Sequence, residues 1–134
     1  MSQENVEIVR RSNAAFNDGD VEGFLDCLSP DAELRDLASA PDQSTVVRGR
    51  AAIGEVLGLW ASAFDEFRAD IEEYIDKGDV VICSVQWRGR GKGSGVSVDL
   101  HQFDVVELSE GRIVRATLGF RSKADALEAA GLSE

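Results

Sequence analysis

The sequence predicts one α+β domain in which three N-terminal helices pack on a strongly curved, mainly antiparallel sheet, closed by a short C-terminal helix. Three observations predict it. Apolar residues recur at the helical period of 3.6 as far as residue 64 and at a period of 2 afterwards. Tight turn signals separate the later runs, so the strands they join are antiparallel neighbours. The 134 residues suffice for one domain with its own core and not for two, so residues 1–134 read as a single domain.

Ser2 caps a first helix running to about Asn17, with Ile8, Val9 and Phe16 on its inner side. Ser12 lies four residues from both Ile8 and Phe16, so it points inward despite its hydroxyl. Gly19-Asp20 stops this helix and starts a second, in which Val21, Phe24, Leu25 and Leu28 follow the i, i+3, i+4, i+7 rule. Ser29-Pro30-Asp31 ends it. Residues 32–37, AELRDL, alternate as a short strand, and the polar loop SAPDQST follows. Gly49-Arg50 opens a third helix whose stripe is Ile53, Val56, Leu57, Trp60 and Phe64.

Phe67–Ile75, Val80–Gly89, Val96–Leu108 and Arg112–Phe120 are strand-like runs. Lys77-Gly78-Asp79, the glycine-rich RGRGKGSG and Ser109-Glu110-Gly111 punctuate them. Ser122 caps a last short helix, with Asp125 at the capping-box position and Gly131 as its C′ residue. Glycines between 89 and 95 suit strongly bent strands. A bent sheet wrapped over a helix leaves a cavity at its wide end.

Composition excludes several classes of function. With 25 acidic and 14 basic residues the net charge is −11, which repels phosphate backbones and anionic headgroups. Neither nucleic acid nor a membrane is therefore an expected partner. No apolar run is long enough to span a bilayer, and the N-terminus MSQENVEIVRRS has no apolar signal core, so a cytoplasmic place is expected. Cys27 and Cys83 stand far apart, outside any CxxC, and are expected to be reduced and buried. One histidine and no Cys/His cluster give no basis for a metal site, and no cofactor is expected. No GxGxxG, Walker-type loop or GxSxG elbow occurs, and RGRGKGSG reads as a hairpin loop rather than a phosphate cradle.

Three polar side chains fall on inward faces. Val98, Leu100, Gln102, Asp104, Val106 and Leu108 share one side of their strand, so Asp104 is a carboxyl on an apolar face. Asp36 has the parity of Ala32 and Leu34, and Ser12 faces both from the first helix. Two carboxyls in one apolar pocket can be driven apart, one ionised as a base and one protonated as a hydrogen-bond donor. The structural alternative is that Asp36 only caps the loop after it and Asp104 pairs with an arginine such as Arg115. His101 shares its face with Asp99, Phe103 and Val105, opposite Asp104, which suits an interface or surface residue rather than a base. Trp87 alternates with Cys83 and Val85 as a pocket wall, and Trp60 is core.

The runs FNDGDVEGFLDCLSPDAELRD, VRGRAAIGEVL and FDVVELSEGRIVRATLGF, in this order and spacing, resemble the nuclear-transport-factor-2-like superfamily. Within it they are most similar to the SnoaL-like and ketosteroid-isomerase-like proteins. The resemblance covers nearly the whole chain. It implies a cone-shaped fold around one pocket and a small apolar molecule as partner. It also implies a homodimer through the outer face of the Val96–Leu108 strand, where Phe103 and Val105 need a cover. The superfold hosts isomerases, cyclases, hydrolases, dehydratases and non-catalytic modules, so it does not specify a reaction.

Carried over by residue, Asp36 falls where the isomerases keep their base. Asp104 resembles their protonated aspartic acid, with the following hairpin one residue shorter here, and Ser12 stands where they have a tyrosine. Leu118 occupies the place of the aspartate that SnoaL-like cyclases use. The Arg/Asp/Asp set of limonene-epoxide-hydrolase relatives has no counterpart. The expectation is proton-transfer chemistry of isomerase or cyclase type on an apolar carbonyl compound, with Asp36 as general base and Asp104 as donor to the enolate. Val9, Ser12, Phe16, Val85, Trp87, Ala116, Leu118 and Phe120 would line the pocket. The rival expectation is a non-catalytic ligand-binding or dimerisation module of the same fold.

Overall fold

Helices α1 (Ser2–Asn17) and α2 (Val21–Asp26) lead into strand β1 (Leu28–Asp36), the two-residue β2 (Val47–Arg48) and helix α3 (Arg50–Ala63). Strands β3 (Phe64–Asp76), β4 (Val80–Gly91), β5 (Ser97–Ser109) and β6 (Arg112–Phe120) follow, and α4 (Lys123–Ala129) comes last. This is the α+β order that the change of period predicts. The computed structural model describes residues 2–37 and 46–131, and the loop SAPDQST falls outside them. The six strands form one sheet in the order β2-β1-β6-β5-β4-β3. From β3 to β6 it is an antiparallel meander, whereas β1 pairs with β6 in parallel.

Two boundaries differ from the sequence reading by more than two residues, and the short β2 was not part of it. Helix α2 stops at Asp26, and Leu28, which keeps the helical spacing, opens β1 opposite Ile113. The Cys27 carbonyl accepts from the Ile113 amide and the Leu28 carbonyl from Arg50 Nε, so pairing with distant segments overrides the local period. Phe64 likewise leaves the helix to begin β3, where its ring stacks on Phe67 at 4.8 Å. The caps follow the sequence more closely. Asp20 accepts from the Gly23 amide, Ser122 accepts from the Asp125 amide, and Gly131 ends α4 with a φ of +74°.

The inner face of the sheet packs Val81, Cys83, Val85 and Val106 against Ile8, Val9 and Ile53 from α1 and α3. Asn17 ties the end of α1 to β3: its Nδ2 donates to the Ala69 carbonyl and its Oδ1 accepts from the Ala69 amide, both at 2.8 Å. The outer face is different. There Ala126 and Leu127 of α4 cover Ile82 and Val105, with Phe103 and Phe120 packed alongside. Val105, expected to need a second copy of the chain, is 3% exposed because α4 supplies its cover.

Candidate functional site

Strand β6 shifts register against β5 twice, once between Ile113 and Arg115 and again between Thr117 and Phe120, and the second irregularity bears on the site. Phe103 pairs with Phe120 and Val105 with Thr117, so Asp104 alone faces the two residues Leu118 and Gly119. Gly119 adopts a φ of +101°, a conformation that side chains disfavour. Two consequences follow. The Gly119 amide turns toward Asp104 and donates to its Oδ1 at 3.0 Å. The alternation is also reset, so Phe120 lies in the outer cluster beside α4 and not on the pocket wall that its parity with Ala116 and Leu118 predicts.

Asp104 is 4% exposed and sits among neutral donors. Gln102 Nε2 donates to its Oδ1 at 2.8 Å and Trp87 Nε1 to its Oδ2 at 3.2 Å. Arg115, the cation considered for it, instead bonds Glu33 and Glu107 on the exposed side. Burial pushes the Asp104 carboxyl up to about 6, from an ordinary 3.8. The bonds from Gln102, Gly119 and Trp87 pull it partway back, and the charge of Asp36 adds to the rise.

Asp104 borders a cavity of about 100 Å³. Val9, Ser12 and Phe16 of α1, Val85 and Trp87 of β4, and Ala116 and Leu118 of β6 line it, with Cys83 beside them. A second compartment of about 170 Å³ holds Asp36 and Gln102 among Trp60, Phe64, Phe67, Val98, Leu100 and Trp87. The two share Trp60, Trp87 and Leu118 as walls. Both aspartates therefore border one apolar region, Asp104 in one compartment and Asp36 in the other.

Ser12 lines the cavity as expected, but its hydroxyl donates to the Val9 carbonyl at 2.8 Å, one turn back in its own helix. His101 lies outside, 2.7 Å from Ser84 Oγ and 3.6 Å from Glu72, on the face away from Asp104. Gln102 and Gly119, which hold Asp104, were not singled out by the sequence. Gln102 could have been, since it shares the inward parity of Asp104 two residues earlier. Among the described residues no group of three or more His, Cys, Asp or Glu could hold a metal, and no helix is long and apolar enough to cross a membrane.

Residues 9–116 match the SnoaL-like domain. No curated protein matches the chain. Among solved structures it is similar to a hypothetical protein with a ketosteroid-isomerase-like fold from Catenulispora acidiphila, in complex with trimethylamine. The two are 18% identical over 95% of this chain and 94% of that one, with a TM-score of 0.76. It is similar also to a Mycobacterium tuberculosis protein in complex with estradiol-17β-hemisuccinate, 16% identical over 90% and 95% of the two chains, TM-score 0.76. A third, an NTF2-like protein of unknown function from Burkholderia pseudomallei, is 22% identical over 93% and 95%, TM-score 0.76. At such identities the structures share a fold and no more. The domain match spans most of the sequence, and on it the chain belongs to the SnoaL-like family.

Proposed function

We propose that the cavity binds a small, largely apolar carbonyl compound and that its two aspartates move a proton on it. The observation that carries this reading is the placement of Asp36 and Asp104 on compartments that share Trp60, Trp87 and Leu118 as walls. Asp36, as the carboxylate, would take a proton from the carbon next to the carbonyl. The C–H electron pair moves toward the carbonyl and leaves an enolate, and Asp36 returns the proton to another carbon. Asp104, in its protonated form, would donate to the enolate oxygen. With its carboxyl at about 6, about one molecule in ten holds that proton at pH 7. A ligand that displaces water from the cavity would raise the fraction. Turnover should therefore increase as pH falls from 8 toward 6.

Relatives of the same fold crystallised with trimethylamine or with an estradiol hemisuccinate support a pocket that holds small ligands. Free, buried Cys27 and Cys83 suit a reducing compartment such as the cytoplasm. The proposal includes a homodimer. With α4 over Val105, the surface left for a second copy is the His101 and Phe103 side of the sheet.

A binding module without catalysis is the second reading, and one observation favours it. The Ser12 hydroxyl is spent on the Val9 carbonyl, so the second donor expected beside Asp104 is not offered to an enolate. The test is deuterium exchange at the α-carbon of a β,γ-unsaturated cyclic ketone, followed by NMR. The enzyme reading expects acceleration by the wild-type protein and a loss of at least about 100-fold in Asp36→Asn. Saturable binding with no acceleration would establish the module instead.

A further inference from the structure

Strand β6 ends at Phe120, opposite Phe103, and β1 ends at Asp36, opposite Leu118. Beyond these ends β5 runs back toward Ser97 with β4 alone beside it. The side chains that β5 turns inward there are Val98, Leu100 and Gln102, and all three line the compartment of about 170 Å³. The other described walls are aromatic rings and Leu118, with Asp36. Gln102 is thus a neutral amide on an otherwise aromatic and aliphatic side of β5, and it is only 5% exposed.

The orientation of that amide is fixed by chemistry. A carboxylate oxygen only accepts, and Asp104 Oδ1 already accepts from the Gly119 amide. The Gln102 atom 2.8 Å from it is therefore the nitrogen, Nε2. The carbonyl oxygen Oε1 lies on the other branch, and among the described residues no protein group donates to it. It is not sealed in the core either, so the space it meets is that of the compartment its residue lines. Holding Asp104 takes only the donor half of the amide. The acceptor half is a strong hydrogen-bonding group in apolar surroundings, and a ligand that fills the compartment without a donor leaves it unsatisfied. Asp36 is the only other oxygen-bearing side chain on the described walls. Neither compartment reaches the roughly 300 Å³ at which drug-sized ligand sites begin, so the ligand is small.

We infer that the ligand of this pocket is a small hydroxyketone whose hydroxyl donates to Gln102 Oε1. The inference rests on the reading of the cavity as the site of a carbonyl compound and adds the second group by which that compound is recognised. Gln102 is then a specificity-determining residue, selecting by a hydrogen bond where the walls around it select by shape. A site that bonds a hydroxyl rejects the analogue lacking it far more strongly than an apolar pocket rejects a missing methylene.

The test is calorimetry and tryptophan fluorescence with five probes: 2-hydroxycyclohexanone, 4-hydroxycyclohexanone, the two corresponding fluorocyclohexanones, and cyclohexanone. Fluorine is close to a hydroxyl in size and cannot donate. At least one hydroxyketone is expected to bind about tenfold or more tightly than both its fluoro counterpart and cyclohexanone. Gln102→Met keeps the length of the side chain without its amide. It should cut that preference below about threefold and change the affinity for cyclohexanone by less than about threefold. Asp36→Ala should leave the preference at about tenfold, and it assigns the acceptor by itself if the Gln102 variant does not fold. Hydroxyketones that bind no better than their fluoro counterparts overturn the inference. So does a preference that persists in Gln102→Met or is lost in Asp36→Ala. If cyclohexanone still binds in those cases, the ligand site stands and only the recognition of a hydroxyl falls. Failure of all five probes removes both.

Discussion

The Gly119 amide donates to Asp104 Oδ1 at 3.0 Å from inside a bulge, and that one backbone distortion also decides the side of the sheet on which Phe120 lies. In a regular ladder Asp104 would face a single residue of β6, and the next side chain would keep its parity. The extra residue opposite Asp104 frees an amide from the ladder and aims it at a carboxylate. Gly119 is thus a positioning residue for Asp104, together with Gln102 and the Trp87 indole.

Glycine substitutions of opposite sign test this role. Gly119→Ala places a side chain at a φ of +101° and should destabilise the protein by about 1–3 kcal/mol. Gly58→Ala is the control. It lies within α3, exposed, with nothing within 4 Å of an added Cβ, and should stabilise by about 0.5–1 kcal/mol. Urea unfolding reads both. If Gly119→Ala is as stable as the wild-type protein, glycine is not what holds the bulge.

Asp104 and Phe120 show where local pattern suffices and where it stops. Alternation along residues 98–108 is unbroken around Asp104, so its inward face was legible. Phe120 follows a bulge that exists only through the pairing of β5 with β6, and no local period contains that pairing; Gly119 was its one mark in the sequence. Leu28 failed for a similar reason, because its helical spacing is intact and only parallel pairing with Ile113 draws it into β1. The caps of α4 could be read from Ser122 and Gly131, but not that Leu127 would dock on Val105. Ser12 was correctly placed inward, while the partner of its hydroxyl depended on a choice between a helical carbonyl and the cavity.

The thiols offer a check on burial near the site. Cys27 is 5% and Cys83 2% exposed, and burial raises the pKa of both, with Asp104 adding to the rise at Cys83. Little thiolate is present and access is poor, so reaction needs local opening. A disulfide exchange reagent at pH 8 should label the native protein at least about 100-fold more slowly than the protein in denaturant, where two thiols react. Rapid native labelling of both would contradict the packing of β4 against α1.

The Asp104 carboxyl makes folding stability depend on pH, and its sign is fixed by the direction of its shift. The folded state holds the proton more tightly, with the carboxyl at about 6 against 3.8 for the ordinary group. Its contribution is therefore fully present below about 3.8 and is lost as pH rises through about 6. Linkage over that window gives about 3 kcal/mol. Surface carboxylates act in the opposite sense, because ion pairs hold Glu33 and Asp70 below the usual range and their contribution is lost on acidification. The informative quantity is the difference between wild-type protein and Asp104→Asn, in which the surface groups cancel. Near pH 7 two effects oppose each other in the variant. It escapes the cost of a buried charge, but its amide nitrogen would face either the Trp87 indole or the donors on Oδ1, for about 1–3 kcal/mol. The two proteins should then differ by no more than about 1 kcal/mol. Between pH 7 and pH 4 the wild-type protein should gain on the variant by roughly 2 kcal/mol of that total, measured as unfolding free energy in urea at each pH. A gap that stays constant across the window, with the variant much weaker at pH 7, would mean that Asp104 is an ordinary ionised acceptor. The proton it is proposed to donate to an enolate would then not be there.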